Sequence, residues 1–171
     1  MAFQLDATIS GPSANSYLDI DDADTYFGGR FGADAWFAFT DAQKQQLLAS
    51  ATKTIDTCIF SGFKHLKEQA LQWPRYSIFD REGYPLTGIP AKLMEATCEL
   101  AMWIWQEPDR ILSDNELMQI DNYKVGPLDV KFNATKMIVP VKVEQLLKAI
   151  GPNVLLTSVG NGRTESLSFH R

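Results

Sequence analysis

The chain has 171 residues, 45% of them hydrophobic, enough for a single domain with a packed core. Its formal net charge of −5 argues against a protein built mainly to grip nucleic acid, where Lys and Arg supply most of the affinity by releasing counterions. The two cysteines are read as buried free thiols, their lack of a C-x-x-C spacing suggests no zinc or redox motif, and no signal peptide or membrane-length apolar run is read.

In chain order, residues 1–18 read as an extended arm rich in Ser, Gly, Pro and Asn. A first helix is expected over Ile20 to Phe31, with Ile20, Ala23, Phe27 and Phe31 on one face. Asp19, Asp21 and Asp22 crowd its start, where carboxylates suit the positive end of the helix. Thr40-x-x-Gln43 matches a capping box and opens a second helix. Its stripe runs Leu47, Leu48, Ala51, Ile55, Cys58, Ile59, and Gly62 is read as its stop.

Leu71 to Pro90 then forms a long aromatic connection broken by prolines and glycines. Helix connections in compact domains usually run to about 2–8 residues, so one of this length must pack on something. Trp73 and Phe79 are read as pinning it, with a tight turn at Asp80–Gly83. Pro90 starts a third helix that Pro108 stops. Leu93, Met94, Thr97, Cys98, Ala101, Ile104 and Trp105 form its face, while Leu100, Met102 and Trp103 make it apolar nearly all round. Such a helix is expected to be buried on every side, which points to a neighbouring subunit.

Ile120–Val125 and Leu128–Phe132 read as two short strands around Gly126-Pro127, with Lys124, Val125 and Leu128 flanking the turn of the hairpin. Pro140 opens a fourth helix with Val143, Leu146, Leu147 and Ile150 inward, stopped by Gly151-Pro152. Residues 153–171 have no helical period yet carry Val154, Leu155, Leu156, Val159, Leu167 and Phe169, so they read as an arm that orders on a partner. The expectation is a mainly α fold: a small bundle of about four helices over 19–152, a β-hairpin insertion near 120–132, and extended arms at 1–18 and 153–171.

No catalytic or metal constellation emerges. The Asp19-Asp21-Asp22-Asp24 cluster lacks the glycine and the bidentate glutamate of a calcium loop. His65 and His170 have no ligand partner at helical spacing. Gly28-Gly29-Arg30 with Gly32 has neither the Lys-Ser/Thr of a phosphate loop nor a preceding strand. Asp80 and Glu82 read as turn residues rather than an acid/base pair. No enzyme activity, cofactor or metal is expected. Trp73, Tyr76, Phe79 and Tyr84, with Lys64, Lys67, Arg75 and Arg81 nearby, admit two readings: bases stacked beside cations, or a loop packed by its aromatics, which is favoured.

N-S-Y-L-D-I-D-D-A-D-T-Y-F at 15–27, A-x-x-x-I-D at 51–56, Q-A-L-Q-W-P-R at 69–75, D-R-E-G at 80–83, G-I-P-A-K-L-M-E-A-T-C-E-L-A at 88–101 and K-V-G-P-L-D-V at 124–130 occur in order along the chain. This ordered set resembles a family of tailed-bacteriophage proteins with two descriptions. One is a DnaT-like single-stranded-DNA-binding protein. The other, favoured by the acidic charge, is a head–tail connector or head-to-tail adaptor. The resemblance implies a structural virion protein at the head–tail junction, assembled in the cytoplasm of the bacterial host as a homo-oligomeric ring, usually twelve copies, under the portal protein. Tail or tail-nozzle proteins would meet the ring, and packaged double-stranded DNA would pass through without sequence-specific binding. The arm, with Arg163 and Arg171 beside its apolar residues, would dock on the portal. Trp73, Pro74, Arg75, Phe79, Asp80, Trp103 and Trp105 would pack the loop or contact neighbouring subunits. No membrane is implied.

Overall fold

Asp19 begins the first helix as its position predicts: its side chain accepts a hydrogen bond of 2.9 Å from the Asp22 amide. A computed structural model describes residues 3–80, 82–107, 139–150 and 154–155. Helix α1 spans Ile20–Gly28 and buries Ala23 and Phe27. It stops earlier than its apolar spacing suggests, because Gly28 and Gly29 end it. Phe31, expected on its buried face, is fully exposed at 102%. A single turn, α2 (Asp34–Phe37), buries Trp36 and is too short to leave a period in the sequence.

Helix α3 (Asp41–Ile55) opens with the predicted capping box, in which the Thr40 hydroxyl accepts from the Gln43 amide and the Gln43 side chain accepts from the Thr40 amide. It ends at Asp56, well short of Gly62. Cys58 is buried in the turn beyond the helix, and Ile59 lies in strand β1 (Ile59–Phe60). Gly62 therefore does not stop a helix. It takes φ +72° between β1 and β2 (Phe63–Lys64), and a Cβ there would sit 2.4 Å from the Tyr76 carbonyl oxygen.

Strand β3 is Arg75–Tyr76, helix α4 is Ala91–Gln106, helix α5 is Val141–Ala149 and strand β4 is Val154–Leu155. β1 pairs antiparallel with β4 (Ile59 opposite Leu155, Phe60 opposite Val154), and β2 pairs antiparallel with β3 (Phe63 opposite Tyr76, Lys64 opposite Arg75). The fold is mainly helical, with five helices among the described residues.

Pro90 is the residue just before α4 rather than its first member. α4 is the central helix, packed against α1, α3 and α5. Its residues from Ala96 to Met102 are all buried. The chain's own helices thus cover a helix whose apolar girth pointed to a neighbouring subunit. α5 contributes Val143, Leu147 and Ile150 to the same core. Cys58 and Cys98 are both buried free thiols.

The N-terminal residues are non-helical as expected, but from residue 3 they are laid on the bundle rather than free of it. Asn15 and Ser16 donate from their amides to the Asp6 carbonyl at 2.8 and 3.1 Å, and Tyr17 and Leu18 are buried. The expected hairpin at 120–132, with Lys124, Val125, Gly126, Pro127 and Leu128, lies outside the described residues. So do Leu156, Val159, Arg163, Leu167, Phe169 and Arg171 of the expected C-terminal arm. Val154 and Leu155, where that arm was expected to begin, form β4.

Candidate functional site

The long connection folds in two layers. Its inner layer is structural. Trp73 is 1% exposed and meets Phe60 edge-on at 5.8 Å, and the Trp73–Pro74 peptide is cis. Gln69, also buried, donates to the carbonyls of Leu71 and Pro74 and accepts from the Leu66 amide. Asp56 accepts from the Tyr17 hydroxyl and from the Gln72 amide, tying the N-terminal segment, the end of α3 and the connection together.

Arg75 belongs to this inner layer. Its guanidinium donates to the carbonyls of Phe60, Ser61, Gly62 and Gln72 at 2.7–3.2 Å and to the Gln72 side chain at 2.9 Å. Burial pulls its pKa below the ordinary arginine value. An arginine spent on so many carbonyls staples the β1–β2 turn, and its charge is not presented outward for a phosphate.

Past Trp73 the side chains divide differently from the sequence reading. Ile78 is buried at 2%, whereas Phe79 is half exposed at 50%. The second pin of the connection is therefore Ile78, one residue earlier, because the chain meets the core on that side of the Phe79–Pro85 bridge. The tight turn is where it was expected. Asp80 accepts from the amides of Glu82 (3.0 Å) and Tyr84 (2.8 Å), and Gly83 has φ +89°.

The outer layer is an aromatic face. Phe63 on β2 and Tyr76 on β3, opposite each other in register, stack at 5.4 Å with 29° between their planes. They are 62% and 51% exposed. Leu66, Phe79 and Tyr84 add exposed apolar surface. Lys64 and His65 lie beside the pair in the chain, and Lys67 is exposed close by. Exposed Glu68 and Glu82 and half-buried Asp80 balance them, while Arg81 lies outside the described residues. Sequence reading found Tyr76, Phe79 and Tyr84 but not Phe63 or Leu66. The signal was there in F-K-H-L-K at 63–67, where two apolar residues stand among lysines and a histidine.

Next to this pair opens a cleft of about 530 Å³ between the N-terminal segment and the connection, with Tyr76 in its wall. Elsewhere, Trp105 near the end of α4 is exposed and meets Phe39 edge-on at 5.1 Å, while Trp103 packs half-buried against the core. Among the described residues no group of three or more His, Cys, Asp or Glu is placed to hold a metal ion. Asp24 of the acidic cluster is engaged with Lys44 at 2.8 Å and with the Trp36 indole at 2.6 Å.

A family model described as "Putative DnaT-like ssDNA binding protein" matches residues 1–170. The chain belongs to that family. Comparison with curated proteins and with solved structures finds no match. Among the described residues, no helix of this family member is long and apolar enough to cross a membrane.

Proposed function

We propose that the chain binds single-stranded DNA, with the exposed Phe63–Tyr76 pair as the stacking platform. The family description supports this reading, and the stacked, solvent-facing pair carries it. Bases stack on exposed aromatic rings regardless of sequence, each worth about 1–3 kcal/mol. Lys64, next to Phe63, donates to the Gln69 and Ala70 carbonyls at 3.4 Å, and Lys67 is the exposed lysine of the same stretch. With a net charge of −5 and Arg75 committed to carbonyls, stacking supplies more of the affinity than phosphate contacts do. Salt then weakens binding with a shallow slope.

The test is an anisotropy titration of a labelled oligo-dT strand at low salt. Binding by the wild type, weakened at least about tenfold in Phe63→Ala/Tyr76→Ala, is expected. No binding by the wild type overturns the reading.

A second reading, the phage head-to-tail adaptor, is favoured by one observation: the aromatic face is rich in apolar surface and poor in free cations. Such a face suits a protein partner better than a polyanion. On this reading the face joins subunits of a ring beneath the portal, tail proteins attach below it, and the acidic chain lets packaged DNA slide past. Electron microscopy of phage particles with antibody-labelled protein tests it; label at the portal vertex is expected, and its absence from particles refutes it.

A further inference from the structure

We propose that the cleft beside the platform is a slot for one unstacked nucleobase, an inference that rests on the single-stranded-DNA reading. Its walls are apolar, from Ile9, Leu66, Ile78 and Leu86, and its volume of about 530 Å³ falls within the range of small-ligand sites. Polar groups are few: the hydroxyls of Ser10, Ser77 and Thr87, and the His65 ring, whose Nδ1 lies 3.5 Å from Ser10 Oγ. Arg75 also borders the cleft, but its guanidinium is taken up by backbone carbonyls. The part of a ligand that enters is therefore uncharged and largely apolar, with one or two hydrogen-bonding edges. A nucleobase has that chemistry; its phosphate does not and stays outside.

Backbone conformation points to the same place. Among the described residues the non-glycine residues with positive φ are Ser10 and Ser77, both at 59°, and both line this cleft. Left-handed backbone at a residue with a Cβ is costly, and such residues cluster where a ligand is held. Tyr76 belongs both to the cleft wall and to the stacked pair, so a strand with one base in the slot lays its neighbour on the platform.

The experiment compares oligo-dT with a strand of equal length in which every second base is replaced by an abasic site, using wild type, Thr87→Trp and Ile9→Trp. The two tryptophans fill the cleft from the N-terminal segment and from the connection, both at exposed positions, and circular dichroism and melting confirm that each variant folds. Expected is a loss of about tenfold in affinity for oligo-dT in a folded cleft-filled variant, and a matching loss for wild type with the abasic strand. If wild type binds oligo-dT and the filled variants bind it equally well, the slot is wrong while the platform stands. If wild type binds no oligo-dT, the underlying reading fails and the slot fails with it. A cleft-dependent gain for aromatic peptides without binding of DNA would also overturn it, in favour of a protein partner.

Discussion

Glu99 on α4 and Arg30, just beyond α1, form a two-point ion pair, with Nε at 2.6 Å and a terminal nitrogen at 3.0 Å from the two carboxylate oxygens. Lys142 of α5 and the Tyr26 hydroxyl of α1 reach the same carboxylate at 2.5 and 2.6 Å. One nearly buried carboxylate thus joins three helices. Burial pushes the Glu99 carboxyl up, but hydrogen bonds from Arg30, Lys142 and Tyr26 outweigh it and hold its pKa below the usual glutamate value.

Glu99→Gln is expected to cost about 2 kcal/mol at neutral pH, a modest figure for a charged cluster because Lys142 and Arg30 are partly solvated. A carboxyl whose pKa falls on folding contributes stability above its unfolded value of about 4.3 and loses it as pH drops through the lower folded value. The gap between wild type and variant therefore narrows below about pH 4. Urea unfolding at neutral and acid pH checks this; a gap that stays constant down to pH 3 contradicts it.

Gly62→Ala should destabilise by about 3 kcal/mol, since a left-handed backbone and a direct clash combine. The new Cβ would lie 2.4 Å from the Tyr76 oxygen and 2.6 Å from Ile78 Cγ1. Gly83 also has positive φ, +89°, but faces open space, so Gly83→Ala should cost only about 1 kcal/mol. Equal melting temperatures for the two variants would refute the distinction.

Trp73→Ala empties a fully buried site and should cost about 3–5 kcal/mol, a large share of the stability of a typical domain. Phe79→Ala, at a half-exposed ring, should cost about 1 kcal/mol or less. Thermal melts of the two side by side decide whether the connection is held through its inner layer alone.

Neither cysteine should react in the folded state. Burial pushes the Cys58 thiol up to about 12, and Cys98 is raised further by the same cause. A chromogenic disulfide reagent at pH 8 should count two thiols in urea and essentially none without it; prompt reaction of the native protein would show that its core opens readily.

Helix starts were legible because they are written locally: Asp19 and Thr40 cap through their own side chains, and Pro90 and Pro140 each stand one residue before a helix. Helix ends were less so. The apolar spacing through Cys58 and Ile59 continues past the end of α3, since both residues find apolar surroundings in a turn and a strand instead. Strands of two residues, such as β2 and β3, leave no alternation to read. Arg75 looked like a cation for a phosphate because three of the four carbonyls that occupy it come from residues 60–62, more than a dozen positions away. Phe63 was missed for the related reason that its stacking partner, Tyr76, meets it only through strand pairing.

The position of α4 at the centre has a consequence for the order in which the molecule is made. α5, which covers one of its sides, comes off the ribosome more than thirty residues after α4 ends. Through that interval of synthesis the nascent bundle carries an uncovered apolar flank. Chains halted before Val141 should therefore recruit hydrophobic-surface-binding chaperones, and chains released after Leu155 should not.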